Sequence, residues 1–342
     1  MILDQAQDVG GAAQPLLTVK GLLKHFPIRG GLFGRAVRKV RAVDGVDLQV
    51  FKGETLGVVG ESGCGKSTTA RLLMRLIQPD RGELIFDGMP VGGRELPLKE
   101  FRRQVQMVFQ DSYSSLNPRM TIEDGIAFGP MVHGVARSEA LRRAHDLLTR
   151  CGLDPARFAG RYPHELSGGQ RQRVNIARAL ALRPRMIILD ESVSALDKSV
   201  EAQVLNLLAE LKAEFGLTYV FISHDLNVVR YVSDRVLVMY LGKVAEIGDA
   251  EAVYQQPQHP YTAALLSSMP SMDPDNRTQE PPLAGDPPNP IDPPPGCRFH
   301  TRCPIAQPVC ARAEPRLFDV AARHAVACHA RAPQSDNGKD AA

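Results

Sequence analysis

Apolar positions along this chain follow two rhythms in turn. "ETLGVVG" (54–60), "RMIILD" (185–190) and "TYVFIS" (218–223) are short, continuous apolar runs and read as strands buried on both faces. Between them the spacing stretches to three and four. In "KSTTARLLMRLI" (66–77), Ala70, Leu73 and Leu76/Ile77 share one helical face. In "SEALRRAHDLLTRCGL" (138–153), Leu141, Ala144, Leu148 and Cys151 form a stripe behind Ser138 as the expected N-cap. "GGQRQRVNIARALAL", stopped by Pro184, and "SVEAQVLNLLAELKAEF" are two further helices. Helices alternating with apolar strands predict a parallel sheet. Ahead of this region, "LLTVKGLLKHF" and "VRAVDGVDLQV" read as β-rich runs on either side of a glycine-rich insert, "RGGLFG". After it, "DRVLVMYLGKVAEIGD" predicts a closing hairpin. Eight prolines in residues 281–295 then mark a stiff, extended linker.

Composition narrows the class only a little. At 342 residues, 44% hydrophobic and 23% charged, the chain can bury a sizeable core and accommodate two or three units. A net charge of +3 without a long Lys/Arg run gives no argument for a nucleic-acid partner. The first residues lack the basic start and apolar stretch of a secretory signal, and no run reaches the roughly 20 apolar residues that span a bilayer. The expectation is a protein that folds in the cytoplasm and meets a membrane only through partners. Thiols stay reduced there, so clustered cysteines point to metal ligation rather than disulfides.

The chemistry begins at "GESGCGKS". Gly60, Glu61, Ser62, Gly63, Cys64, Gly65, Lys66 and Ser67, with Thr68 following, match the phosphate-loop pattern in full between an expected strand and an expected helix. Glycines let successive N–H groups face phosphate oxygens, and the helix start adds its positive end. Lys66 would reach the β- and γ-phosphates and Ser67 would ligate Mg²⁺. "MIILDES" ends an apolar strand in Asp190, placed to hold Mg²⁺ through water. Glu191, one residue on, is placed to orient and deprotonate an attacking water. "LSGGQRQR" puts Ser167 at a helix N-cap, and Gly168 and Gly169 leave their amides bare ahead of Gln170, a second anion-seeking turn in the same chain.

These motifs, in this order, resemble the ATP-binding cassette superfamily over roughly residues 17–255. The resemblance implies an α/β fold: a P-loop ABC-type ATPase core with an antiparallel β subdomain, an inserted α-helical subdomain at about 111–165, and a short cysteine-bearing C-terminal extension. It implies that Gln110 in "VFQD" senses the metal and couples to a transporter, and that Asp197 in "SALD" lies between opposed sites. It further implies that His224 in "ISHD" contacts the γ-phosphate and that Phe26 in "KHFPI" stacks on adenine. Two such chains would close head to tail around two ATP molecules. "QDSYSSLNPRMTI", "HPYTAALLSSMP" and the Ser192–Val193 variant in "DESVSALD" look like the F-type ATP-binding subunit of bacterial dipeptide/oligopeptide importers. That resemblance implies a sister ATPase in a heterodimer, two membrane permeases, an extracytoplasmic solute-binding protein and a peripheral place on the cytoplasmic face of the inner membrane. Relatives of the same importer family move nickel, glutathione or other small solutes, and non-transport cassette ATPases form a more distant alternative.

The expected boundaries are a flexible 1–16, the ATPase domain 17–255, an extension and proline-rich linker 256–296, a cysteine motif 297–330 and a disordered tail 331–342. Cys297, Cys303, Cys310 and Cys328 are spaced C-x₅-C, C-x₆-C and C-x₁₇-C, unlike the C-x₂₋₄-C turns usual at structural zinc. Four thiolates at such spacing suit an iron–sulfur cluster, and the segment is similar to parts of peptide-importer ATPases that bind a 4Fe–4S cluster. Zinc and unliganded thiols remain open. Nothing in the sequence places this segment near nucleotide. Cys64 reads as a small loop residue and Cys151 as core.

Overall fold

A computed structural model describes residues 11, 14–29, 36–269 and 288–332. Most of the expected flexible start, the glycine-rich insert, the linker over 270–287 and the tail from 333 lie outside the described residues.

In chain order the strands are β1 (Pro15–Arg29), β2 (Ala36–Phe51), β3 (Thr55–Val59), β4 (Arg81–Phe86), β5 (Met89–Pro90), β6 (Val105–Val108), β7 (Met186–Asp190), β8 (Thr218–Ile222), β9 (Arg235–Tyr240), β10 (Lys243–Asp249), β11 (Phe318–Ala321) and β12 (His324–Val326). The helices are α1 (Lys66–Leu73), α2 (Leu98–Gln104), α3 (Ile122–Val132), α4 (Arg137–Arg150), α5 (Pro155–Phe158), α6 (Gly168–Leu180), α7 (Lys198–Phe215), α8 (Leu226–Val232), α9 (Ala250–Gln255) and α10 (Pro260–Ser267). The chain divides into two compact units. One holds residues 1–18, 49–55 and 84–223; the other holds 19–48, 56–83 and 224–342.

In the first unit β6, β7 and β8 are parallel, with Val105 opposite Met186 and Asp190 opposite Ile222. Every residue of β7 and β8 is buried, as their unbroken apolar runs require. β4 and β5 form an antiparallel pair, Phe86 opposite Met89. Helix α4 buries Ala140, Ala144, Leu147 and Leu148, close to the expected stripe. It starts at Arg137 rather than after Ser138, and its N-cap, Ala136, offers no side-chain acceptor. Helix α7 is better bounded: Asp197 accepts from the Val200 N–H at its start, and Gly216 closes it in the left-handed region at φ 62°.

In the second unit β3 and β9 are parallel, with Leu56 opposite Arg235 and Val59 opposite Val238. β9 turns antiparallel into β10, the expected hairpin, with Tyr240 opposite Lys243. The C-terminal strands extend this array: β12 pairs with β10, Val326 opposite Glu246, and β11 pairs with β12. Helix α1 ends four residues before the apolar pattern does. Arg75 takes φ 53°, the amides of Leu76 and Ile77 turn back to the Arg71 carbonyl, and Leu76 is left exposed. Those bonds satisfy carbonyls that an ending helix would otherwise orphan.

The C-terminal segment is tied in by a buried carboxylate. Glu246 on β10 is fully buried; it accepts from the N–H groups of Gln258 at 2.8 Å and His259 at 2.9 Å and pairs with His324 Nε2 at 2.7 Å. One side chain thus anchors both the entry to α10 and strand β12.

Candidate functional site

The phosphate loop leaves β3 and opens α1. Gly60 and Gly65 sit at φ 150° and 107°, where a Cβ would strike the Met239 and Ala42 carbonyl oxygens at 2.2 Å, so each position needs glycine. The Cys64 carbonyl accepts from the Gly242 N–H at 2.8 Å, which pins the top of the loop to the β9–β10 turn. Lys66 is folded into the loop. Its Nζ donates to the carbonyls of Gly60 (2.7 Å) and Glu61 (3.1 Å), and the side chain is buried. Ser62 and Gly63 are exposed, and Glu61, Gly65, Ser67 and Thr68 are half-buried. Burial raises the pKa of the Cys64 thiol against the nearby Lys66 charge, which keeps it protonated and unreactive, in line with its reading as a small loop residue.

Glu61 is gripped from the C-terminal half of the chain. Its N–H donates to the Tyr261 hydroxyl at 2.8 Å, and its carboxylate accepts from Arg302 at 3.0 and 3.2 Å. Arg302 lies between Cys297 and Cys303, so the cysteine segment reaches the phosphate loop directly. The sequence-based expectation that nothing places it near nucleotide is corrected here. Reasoning from sequence missed both Tyr261 and Arg302. The quoted "HPYT" was the one signal for Tyr261, and Arg302 had none.

In the other unit, β7 delivers Asp190 to its C-terminal end, where it is buried. Glu191 follows at φ 46°, a left-handed conformation uncommon for a residue with a side chain. Its N–H donates to the Ile222 carbonyl at 2.9 Å, and its carboxylate accepts from Gln110 Nε2 at 2.9 Å. Two expected site residues are therefore in direct contact. The Ser194 hydroxyl and N–H both return to the Glu191 carbonyl, at 2.9 and 3.2 Å, and close a tight turn. Downstream, Asp197 is exposed; the Val200 amide and the Ser199 hydroxyl hold its pKa below the usual carboxylate value.

The Ser167 turn is exposed at the start of α6. Ser167 accepts from the Gln170 N–H at 3.3 Å while the Gln170 side chain accepts from the Ser167 N–H at 3.0 Å, a complete capping box. Gly168 and Gly169 are half-buried, and a Cβ on Gly169 would meet Val200 Cγ1 of α7 at 2.5 Å.

His224, in the unit that carries the phosphate loop, is exposed just before α8. Phe26, in the same unit, is half-buried on β1 with Lys24 Nζ 5.7 Å from its ring centroid.

None of the six cysteines is in a disulfide. Burial raises the pKa of Cys297 to about 11, and Cys310, Cys328 and Cys303 add to the rise, so the four C-terminal thiols lie close enough to repel one another as thiolates. Among the described residues, however, no group of three or more His, Cys, Asp or Glu is placed to hold a metal ion. Cys151, the other cysteine outside the segment, is core as expected; burial lifts its pKa to about 12.

A chain that carries its own phosphate loop and also exposes a second, capped anion-seeking turn has the parts of a cassette ATPase, which binds one nucleotide itself and completes a neighbour's site. Residues 43–194 match the family described as ABC transporter, and residues 245–310 match the oligopeptide/dipeptide transporter, C-terminal region. The oligopeptide transport ATP-binding protein AppF of Bacillus subtilis is 51% identical over 321 residues, covering 92% of this chain and 97% of its own length. The probable peptide ABC transporter ATP-binding protein y4tS of Sinorhizobium fredii is 52% identical, over 93% of this chain and 90% of its own. Among solved structures, the dimeric post-hydrolysis ATP-binding cassette MJ0796 bound to ADP and Pi is 30% identical at a TM-score of 0.59, over 68% of this chain and 98% of that chain. The chain belongs to the ATP-binding proteins of the oligopeptide/dipeptide ABC transporter family.

Proposed function

We propose that this chain hydrolyses ATP to energise peptide import by an ABC transporter, as the F-type partner of a sister ATPase bound to two permeases and served by an external binding protein. Lys66 and Ser67 would grip the triphosphate and Mg²⁺, Asp190 would hold the metal, and Glu191 would take the proton from the attacking water. Gln110, already bonded to Glu191, reports metal occupancy toward the permeases. His224 contacts the γ-phosphate, Phe26 faces the adenine, and Asp197 lies between the opposed sites. The observation that carries this reading is the capped start of α6, where Ser167 is exposed beside the half-buried Gly168 and Gly169, an anion-seeking turn suited to the γ-phosphate of ATP on a partner cassette.

The test is reconstitution with the permeases and binding protein, followed by peptide-stimulated ATPase measurements. Glu191→Gln should keep ATP affinity, lower turnover by about 10²–10⁴-fold and accumulate closed dimers on size exclusion. Unimpaired turnover would rule out the assigned base. Stimulation by nickel or glutathione in place of peptide would move the solute class but not the mechanism.

For Cys297, Cys303, Cys310 and Cys328, the support for a resident 4Fe–4S cluster is that none is in a disulfide and each lies within electrostatic reach of the others. Iron and acid-labile sulfide in anaerobically purified protein test it, and their absence refutes it.

A further inference from the structure

Lys66 depends for its position on two carbonyls, those of Gly60 and Glu61. Gly60 has no side chain by which it could be held, and its φ of 150° lies outside the range other residues favour. The peptide that aims the lysine is therefore fixed through Glu61. Besides a local bond, in which its carbonyl accepts from the Cys64 N–H at 3.2 Å, Glu61 has two holds from distant sequence. The Tyr261 hydroxyl takes its N–H at 2.8 Å, and Arg302 meets its carboxylate with two N–H groups at 3.0 and 3.2 Å. A two-bond guanidinium–carboxylate pair fixes orientation as well as distance. The pair is largely out of water, with side-chain exposures of 6% for Arg302 and 21% for Glu61. Arg302 also donates to the Tyr240 hydroxyl at 3.3 Å. The rings of Tyr240, Tyr261 and Phe299 pack behind it, with centroids 4.5 to 5.5 Å apart.

This cluster has its own anchorage. Glu246 holds the entry to α10 and, through His324, strand β12. Arg298, buried one residue after Cys297, donates to the Leu241 carbonyl and pairs with Asp44. The C-terminal segment thus stays seated without its bonds to Glu61, and those bonds act on the loop.

We propose that Tyr261 and Arg302 are positioning residues for nucleotide binding: Tyr261 fixes the Gly60–Glu61 peptide through its N–H, Arg302 fixes the Glu61 side chain, and together they set the Gly60 and Glu61 carbonyls that hold Lys66 where a triphosphate needs it. The cysteine segment thereby sets ATP affinity through Arg302 without touching the nucleotide. This rests on the assignment of the Gly60–Ser67 loop to ATP.

The experiment measures MgATP affinity of the full chain by competition with a fluorescent ATP analogue, together with KM and kcat for hydrolysis. Tyr261→Phe, which removes one oxygen, should raise Kd and KM about threefold or more, and Arg302→Gln about tenfold, with kcat at saturating ATP within about twofold of wild type. Arg302→Lys should fall between Arg302→Gln and wild type. In a Glu61→Gln background the Arg302→Gln change should add little, because its action passes through that carboxylate. Unchanged affinity in both Tyr261→Phe and Arg302→Gln overturns the proposal, as does an Arg302→Gln effect of the same size with Glu61→Gln already present. Lys66→Ala separates the two levels. If it binds MgATP as well as wild type, the ATP assignment of the loop has failed, and not merely its brace.

Discussion

His259 caps α10 with an uncharged ring. Its Nδ1 accepts from the Tyr261 N–H at 3.0 Å, and burial lowers its pKa to about 4. Protonation would turn that acceptor into a donor and place a charge in the core. Because the folded pKa lies below the unfolded value near 6.5, the stability linked to this group is present above pH 6.5 and is lost as pH falls toward 4. The slope is about 1.4 kcal/mol per pH unit in that window. Asn caps as well and does not titrate. His259→Asn should therefore gain on wild type by that slope as the buffer is acidified, measured by urea unfolding at a series of pH values. Parallel curves would show that the ring already titrates freely. At this scale the sequence was legible only where chemistry is local. Gly60, Gly65, Lys66 and the Ser167 N-cap reveal themselves because each acts within a few residues of its own position. Arg302 could not, since nothing about an arginine in "HTRC" indicates a carboxylate 241 residues earlier.

Among the elements, α6 shows how a helix start can be shaped for two tasks. Ser167→Ala removes one half of the capping box and should cost about 1 kcal/mol of stability, read from denaturant midpoints. Gly169→Val is the sharper change. Its Cβ would lie 2.5 Å from Val200 Cγ1, so α6 and α7 must part, at a cost of about 1–3 kcal/mol. If Gly169→Val matched wild type, the close approach of the two helices would be wrong. Apolar periodicity located α4, α6 and α7 well because each buries one face along most of its length. It overran α1, where Leu76 continues the pattern but the backbone has already turned at Arg75. Periodicity reports what a helix would bury and not where its last carbonyls find partners. Strands β11 and β12 had no clear signal either. "FDVA" is largely exposed, and "HAV" is a strand because β10 offers it an edge.

Taken whole, the chain is interleaved, with each compact unit assembled from three separated stretches. The Gly60–Ser67 loop and His224 belong to one unit; Gln110, the Ser167 turn, Asp190, Glu191 and Asp197 belong to the other. Motif order along the sequence therefore identified the family while saying nothing of this partition. Among the described residues no helix is long and apolar enough to cross a membrane.

The reach from Glu61 to Arg302 has a consequence during synthesis. A ribosome adding about 5–20 residues per second needs roughly 12–48 seconds to travel from one to the other. Throughout that interval the nascent polypeptide displays a complete glycine loop whose lysine is not yet aimed. Messages cut short before the Arg302 codon would, on the proposed brace, yield cassettes that bind ATP more weakly.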